Sequence, residues 1–136
     1  MLEGVRTGTS GVSGARSRVP HLDESARVPR EAFLGGTEFA HLHGDGSGSP
    51  HLTLPRPRAA EAVRREWAEQ HPAVALGLAA PTLLMLYGPR TLDEFAVVRQ
   101  LARESHAFGR AGAGATWRRR PVRRGGAGRC RRNRAG

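Results

Sequence analysis

The chain has 136 residues, 22 of them basic and 12 acidic, for a formal net charge of +10; that length admits one domain with flanking segments. The charge is unevenly placed. Residues 110–136 hold ten arginines and no acid, while residues 30–109 hold eight arginines against nine acids and residues 1–29 hold four against three. A basic fold is therefore excluded, and the single cysteine, Cys130, excludes both an internal disulfide and a cysteine-built zinc cage. All the basic residues are Arg, with no Lys and no Ile in the chain, a bias toward residues with G+C-rich codons.

Residues 1–30 are rich in Gly, Ser, Thr and Arg without apolar periodicity and read as a flexible lead. Residues 35–43, GGTEFAHLH, alternate as a strand does: Thr37, Phe39, His41 and His43 share one face, Glu38, Ala40 and Leu42 the other. A Gly-rich reversal at residues 44–50 leads into HLTLP (51–55), where Leu52 and Leu54 oppose His51 and Thr53, so the pair predicts a β-hairpin. The reversal lacks the strand–loop–helix context and the Lys of a phosphate-binding loop. Arg58–Gln70 is predicted helical, with Ala59, Ala62, Val63 and Trp67 at helical spacing and Pro72 as its stop. Residues 82–88, TLLMLYG, form an apolar run of strand length and the expected central strand. Thr91-Leu-Asp-Glu94 is a capping-box pattern opening a last helix, with Phe95, Val98, Leu101 and Ala102 as its apolar stripe and Gly109 as its end.

These elements predict an α+β fold in the order β-β-α-β-α, a small sheet of one hairpin plus a further strand with two helices on one face. The domain is expected over residues 31–109, followed by a disordered Arg/Gly-rich tail over 110–136. The N-terminus lacks the apolar core of a signal peptide. The one long stretch without an acid or Arg, Gln70–Pro89, is broken by Pro72 and Pro81, so no membrane span is expected and a cytoplasmic location is the default.

Taken together, Glu38-Phe39-x-His41-x-His43, a second strand closing on Leu54-Pro55, Trp67 followed by His71-Pro72, Tyr87-x-Pro89-Arg90 and a helix reaching Ser105–Phe108 resemble the luciferase-domain family of small bacterial, chiefly actinobacterial, proteins. The resemblance spans residues 31–109. It implies a longer segment before the Glu-Phe-x-His-x-His strand than this chain carries, and it implies no particular reaction or cofactor.

The histidines are the candidate chemistry. His41 and His43, two apart on a strand, project from one face about 6.5–7 Å apart along it, and a third ligand, His71 or His51, would complete a site for a first-row metal or an acid–base reaction. The candidate catalytic and metal-binding set is His41, His43 and His71. Simple alternation turns Glu38 away from them, so a bulge would be needed to bring it in. The competing reading is a polar outer side of a half-buried sheet, with His71 set favourably at the C-terminus of the preceding helix. Arg90, Asp93 and Glu94 are explained by helix capping, and Trp67 by a core role. Residues 118–134 would bind polyanions weakly and without sequence preference, Trp117 being the only stacking group nearby. Two classes of function remain: a small metal- or acid/base-dependent enzyme, and a partner-binding module that includes nucleic-acid binding through the tail.

Overall fold

The computed structural model describes residues 2–13, 17–23, 30–43 and 48–111. Of the tail expected over residues 110–136, Arg110 and Ala111 close the last helix and the rest lies outside the described residues, as do residues 44–47 of the predicted reversal. The architecture is α+β, built on two antiparallel sheets. The first pairs β1 (Val5–Thr9) with β2 (Arg18–Leu22). The second has the spatial order β3-β4-β6-β5, from β3 (Ala40–Leu42), β4 (Pro50–Thr53), β5 (Ala68–Gln70) and β6 (Leu83–Leu86).

The predicted hairpin is β3–β4, antiparallel with Ala40 opposite Leu52 and His41 opposite His51. The apolar run of residues 82–88 supplies β6, which sits between β4 and β5. Leu52, Leu54, Leu84 and Leu86 project to one face and are buried there with Ala59, Ala62, Ala68 and Leu101. Two helices provide that cover, α1 (Arg56–Arg64) through Ala59 and Ala62, and α3 (Leu92–Ala111) through Leu101. Fully burying side chains of this size contributes roughly 1.5–3 kcal/mol each, so this face is the main core.

Three expectations are corrected. The first helix stops at Arg64 instead of running to Gln70. Glu66 takes a left-handed backbone (φ 60°), the Glu66 amide donates to the Val63 carbonyl and the Trp67 amide to the Ala62 carbonyl. This pair of bonds is the Schellman ending, normally made with glycine, and it turns the chain into β5. Trp67 is half-buried against the core as expected. The lead is not uniformly flexible: β1 and β2 lie within it, with Val19 and Leu22 buried. Leu22 abuts Gly109 of α3, where an added Cβ would come within 2.6 Å of Leu22 Cδ1, and the Glu3 carbonyl accepts a hydrogen bond from His106 Nε2 at 2.8 Å.

The third correction concerns α3. Its start is capped as expected: the Glu94 amide donates to Thr91 Oγ1 at 3.1 Å. The Glu94 carboxylate reaches back one residue further than the capping box requires, to the Arg90 amide at 2.6 Å. Phe95 is exposed, however, and the buried stripe shifts C-terminally to Leu101, Ser105 and Gly109. Ser105 Oγ donates to the Phe39 carbonyl at 3.0 Å, which explains why a polar residue can occupy that buried stripe. No helix among the described residues is long and apolar enough to cross a membrane.

Candidate functional site

The face of the sheet opposite the helices carries the histidines. Strand pairing sets His41, His51, Met85 and Glu69 opposite one another in turn, one residue from each strand along a row across β3, β4, β6 and β5. Alternation along the strands then separates this row from the leucines of the core. His41 and His51 are therefore neighbours through backbone register. His43, two residues beyond His41, returns to the same face just past the end of β3.

Three ring nitrogens converge. His41 Nε2 lies 3.2 Å from His43 Nε2 and 3.2 Å from His51 Nδ1, and the last two are 3.4 Å apart. His41 and His51 are buried and His43 is half-buried. Each such nitrogen carries either a proton or one lone pair, so no distribution of protons makes a satisfactory hydrogen bond along all three edges of this triangle. A cation at its centre satisfies all three at once. With metal–nitrogen bonds of about 2.0–2.1 Å, the ligand–ligand edge of a tetrahedron is about 3.3–3.4 Å, which the observed separations approach.

Glu38 stands behind His41. Its carboxylate Oε1 is 2.7 Å from His41 Nδ1, and the side chain is fully buried. Regular alternation fails here because residues 35–38 form a tight turn: the Glu38 amide donates to the Gly35 carbonyl, the Leu34 amide donates to the Glu38 carbonyl, and Gly36 has a positive φ of 55°. The strand begins only at Ala40. Glu38 is held in turn by the loop after β1. Ser10 Oγ donates to the carboxylate at 3.0–3.1 Å, and the Gly11 amide donates to Oε2 at 3.1 Å. Ser10 Oγ also accepts from the amides of Val12 and Ser13. A carboxylate on the far nitrogen of a ligating imidazole fixes its tautomer and ring orientation.

His71 occupies the rim. It is not at the end of a helix running from Arg58 but at the start of the short α2 (Pro72–Ala75), where its Nδ1 accepts the Ala73 amide at 3.1 Å. Its ring meets that of His51 edge-on, with centroids 5.0 Å apart and an interplanar angle of 79°. Burial, and then the neighbouring His41 and His43, lower its pKa below the ordinary 6.5. The structure thus brings His41 and His43 together with His51, and sets His71 beside them outside the triangle. In the sequence His51 is signalled by hairpin register, whereas Glu38 reaches His41 only because the turn at residues 35–38 breaks the alternation.

The sequence matches a protein-family model described as Luciferase domain over residues 36–105, a span that includes Glu38 and all four site histidines. It is also similar to proteins named "Luciferase" from Armillaria gallica, Armillaria mellea and Armillaria ostoyae. Each is 30% identical over 91 residues, covering 64% of this chain and 34% of the relative. The chain therefore spans about a third of the length of these curated relatives. No solved structure matches.

Proposed function

This chain belongs to the luciferase-domain family, and from that premise we propose that His41, His43 and His51 hold one divalent first-row metal ion, zinc by preference, in a catalytic centre. The observation that carries the proposal is the triangle of ring nitrogens at 3.2, 3.2 and 3.4 Å, which protons alone cannot satisfy. Three protein ligands with a remaining open position are the mark of catalytic rather than structural zinc sites. A metal so held polarises a bound oxygen or lowers the pKa of a bound water. Glu38 keeps the proton of His41 on Nδ1 and leaves Nε2 free to ligate. The name luciferase belongs to the Armillaria relatives, of whose length this chain spans about a third.

The test is metal content and zinc affinity of the full chain, beside a His41→Ala/His43→Ala double variant. One equivalent of zinc, lost in the variant, is expected. A folded wild-type chain that binds no zinc, iron or cobalt overturns the reading.

A second reading rests on one contact, the buried Glu38–His41 pair at 2.7 Å. A carboxylate orienting an imidazole is also the arrangement of a metal-free general base. Chelation separates the two: an activity that survives metal removal belongs to the pair alone.

A further inference from the structure

Building on the metal centre proposed above, we propose that its open position takes a small anionic oxygen donor of the carboxylate type, and that His71 donates a hydrogen bond to that ligand from Nε2. The charge balance favours an anion. Three imidazoles ligate as neutral groups, so they leave the charge of a divalent ion uncompensated. Among the described residues, the carboxylate that touches the set, Glu38, is fully buried and committed to His41, Ser10 and Gly11. Glu69, the acid at the other end of the row, is exposed on β5 and separated from His51 by the Met85 position of β6.

His71 is built as a donor rather than as a fourth ligand. Its Nδ1 lone pair is taken by the Ala73 amide, so in the neutral ring the proton must sit on Nε2. Among the described residues Nε2 has no protein partner, although the ring is only half-buried and packs edge-on against His51. Its nitrogens fall outside the group whose ligand atoms all lie within 4.8 Å of one another. A nitrogen outside that spacing does not share an ion with the other three, while the ring contact with His51 keeps His71 beside the set. Met85 shares this face beside His51 and brings an apolar thioether, which strengthens a charged hydrogen bond formed next to it.

The experiment uses the full-length chain loaded with cobalt(II), whose visible spectrum reports the fourth ligand, titrated with acetate and with neutral acetamide. Wild type is expected to change spectrum with acetate and not with acetamide at equal concentration. His71→Phe is expected to keep cobalt stoichiometry and affinity while weakening acetate binding on the order of tenfold, as loss of one hydrogen bond to a charged group implies. His71→Asn, which retains an oxygen able to accept the Ala73 amide, controls for damage to α2 and should show the same loss. Unchanged acetate affinity in both variants overturns this inference and leaves the metal centre standing. Loss of cobalt affinity in both makes His71 a ligand and overturns it equally. Failure of wild type to take cobalt removes the metal reading itself.

Discussion

Glu38→Gln is the most discriminating substitution at this site, because the hydrogen-bond inventory separates its effect on folding from its effect on the metal. In the wild type one carboxylate oxygen faces His41 Nδ1 at 2.7 Å, while the other accepts from Ser10 Oγ and the Gly11 amide at 3.0 and 3.1 Å. A glutamine of the same shape can keep its oxygen on Ser10 and Gly11 and turn its amide toward His41. Ser10 cannot invert its role, since its lone pairs already accept from Val12 and Ser13. His41 can: a neutral imidazole moves its proton to Nε2 and accepts from the glutamine at Nδ1. The second amide hydrogen of the buried glutamine then has no acceptor, because the Ser10 lone pairs are taken, so the metal-free variant should lose about 1–3 kcal/mol. The same shift places a proton on the nitrogen that must ligate. Binding a metal now requires that proton to return and the glutamine bond to break. Zinc affinity should fall about 10- to 100-fold, the usual cost of losing such a partner, or roughly 1.4–2.8 kcal/mol. Competition against a chromophoric chelator measures the affinity, and urea unfolding in excess chelator measures the fold. Wild-type zinc affinity in the variant would refute the tautomer argument. A metal-free variant destabilised by more than about 3 kcal/mol would show instead that the negative charge itself holds the loop after β1.

Leu101→Ala opens a cavity where α3 meets the sheet, at a side chain only 1% exposed; a loss of about 2–5 kcal/mol is expected, read from urea midpoints. Glu66→Gly removes a side chain from a left-handed position at a cost to the native chain of about 1–2 kcal/mol, so it should raise stability by about 1 kcal/mol, and a decrease would mean that the Glu66 side chain makes a compensating interaction. The full-length chain should bind heparin at low salt and release it steeply as salt rises, whereas a chain ending at Ala111 should not bind; equal retention of the two would remove the proposed polyanion role of residues 118–134.

The elements legible in the sequence were those whose pattern matched their burial. Alternation around His41 and around Leu52 and Leu54 marked the hairpin, the apolar run at residues 82–88 marked the strand between β4 and β5, and Thr91 with Glu94 marked the start of α3. What failed was governed by single backbone positions or distant contacts. Glu66 ends α1 in a conformation that glycine usually signals, so helical spacing was followed too far. The β1–β2 hairpin has few apolar residues, and its anchorage comes from Leu22 against Gly109 and from Glu3 on His106, separations of 87 and 103 residues that no local pattern encodes. Among the candidate ligands, His41 and His43 followed from their spacing. The position of His51 beside them depends on the hairpin register, and that of His71 on where α1 ends, which helical spacing alone does not mark.

The register of β3 against β4 has a consequence for how the chain keeps its own pairing. β3 contains three residues, a short ladder with little to resist slippage. A shift of one residue would turn its side chains over to the opposite face, carrying His41 away from His51 and dissolving the triangle. An ion bound by both strands opposes that shift with its own binding free energy, about 2.7 kcal/mol when the free ion is a hundredfold above its dissociation constant. The metal would thus act as a proofreader of strand alignment, and chelation should loosen amide protection first at residues 40–42 and 51–53, before the leucine core beneath them gives way.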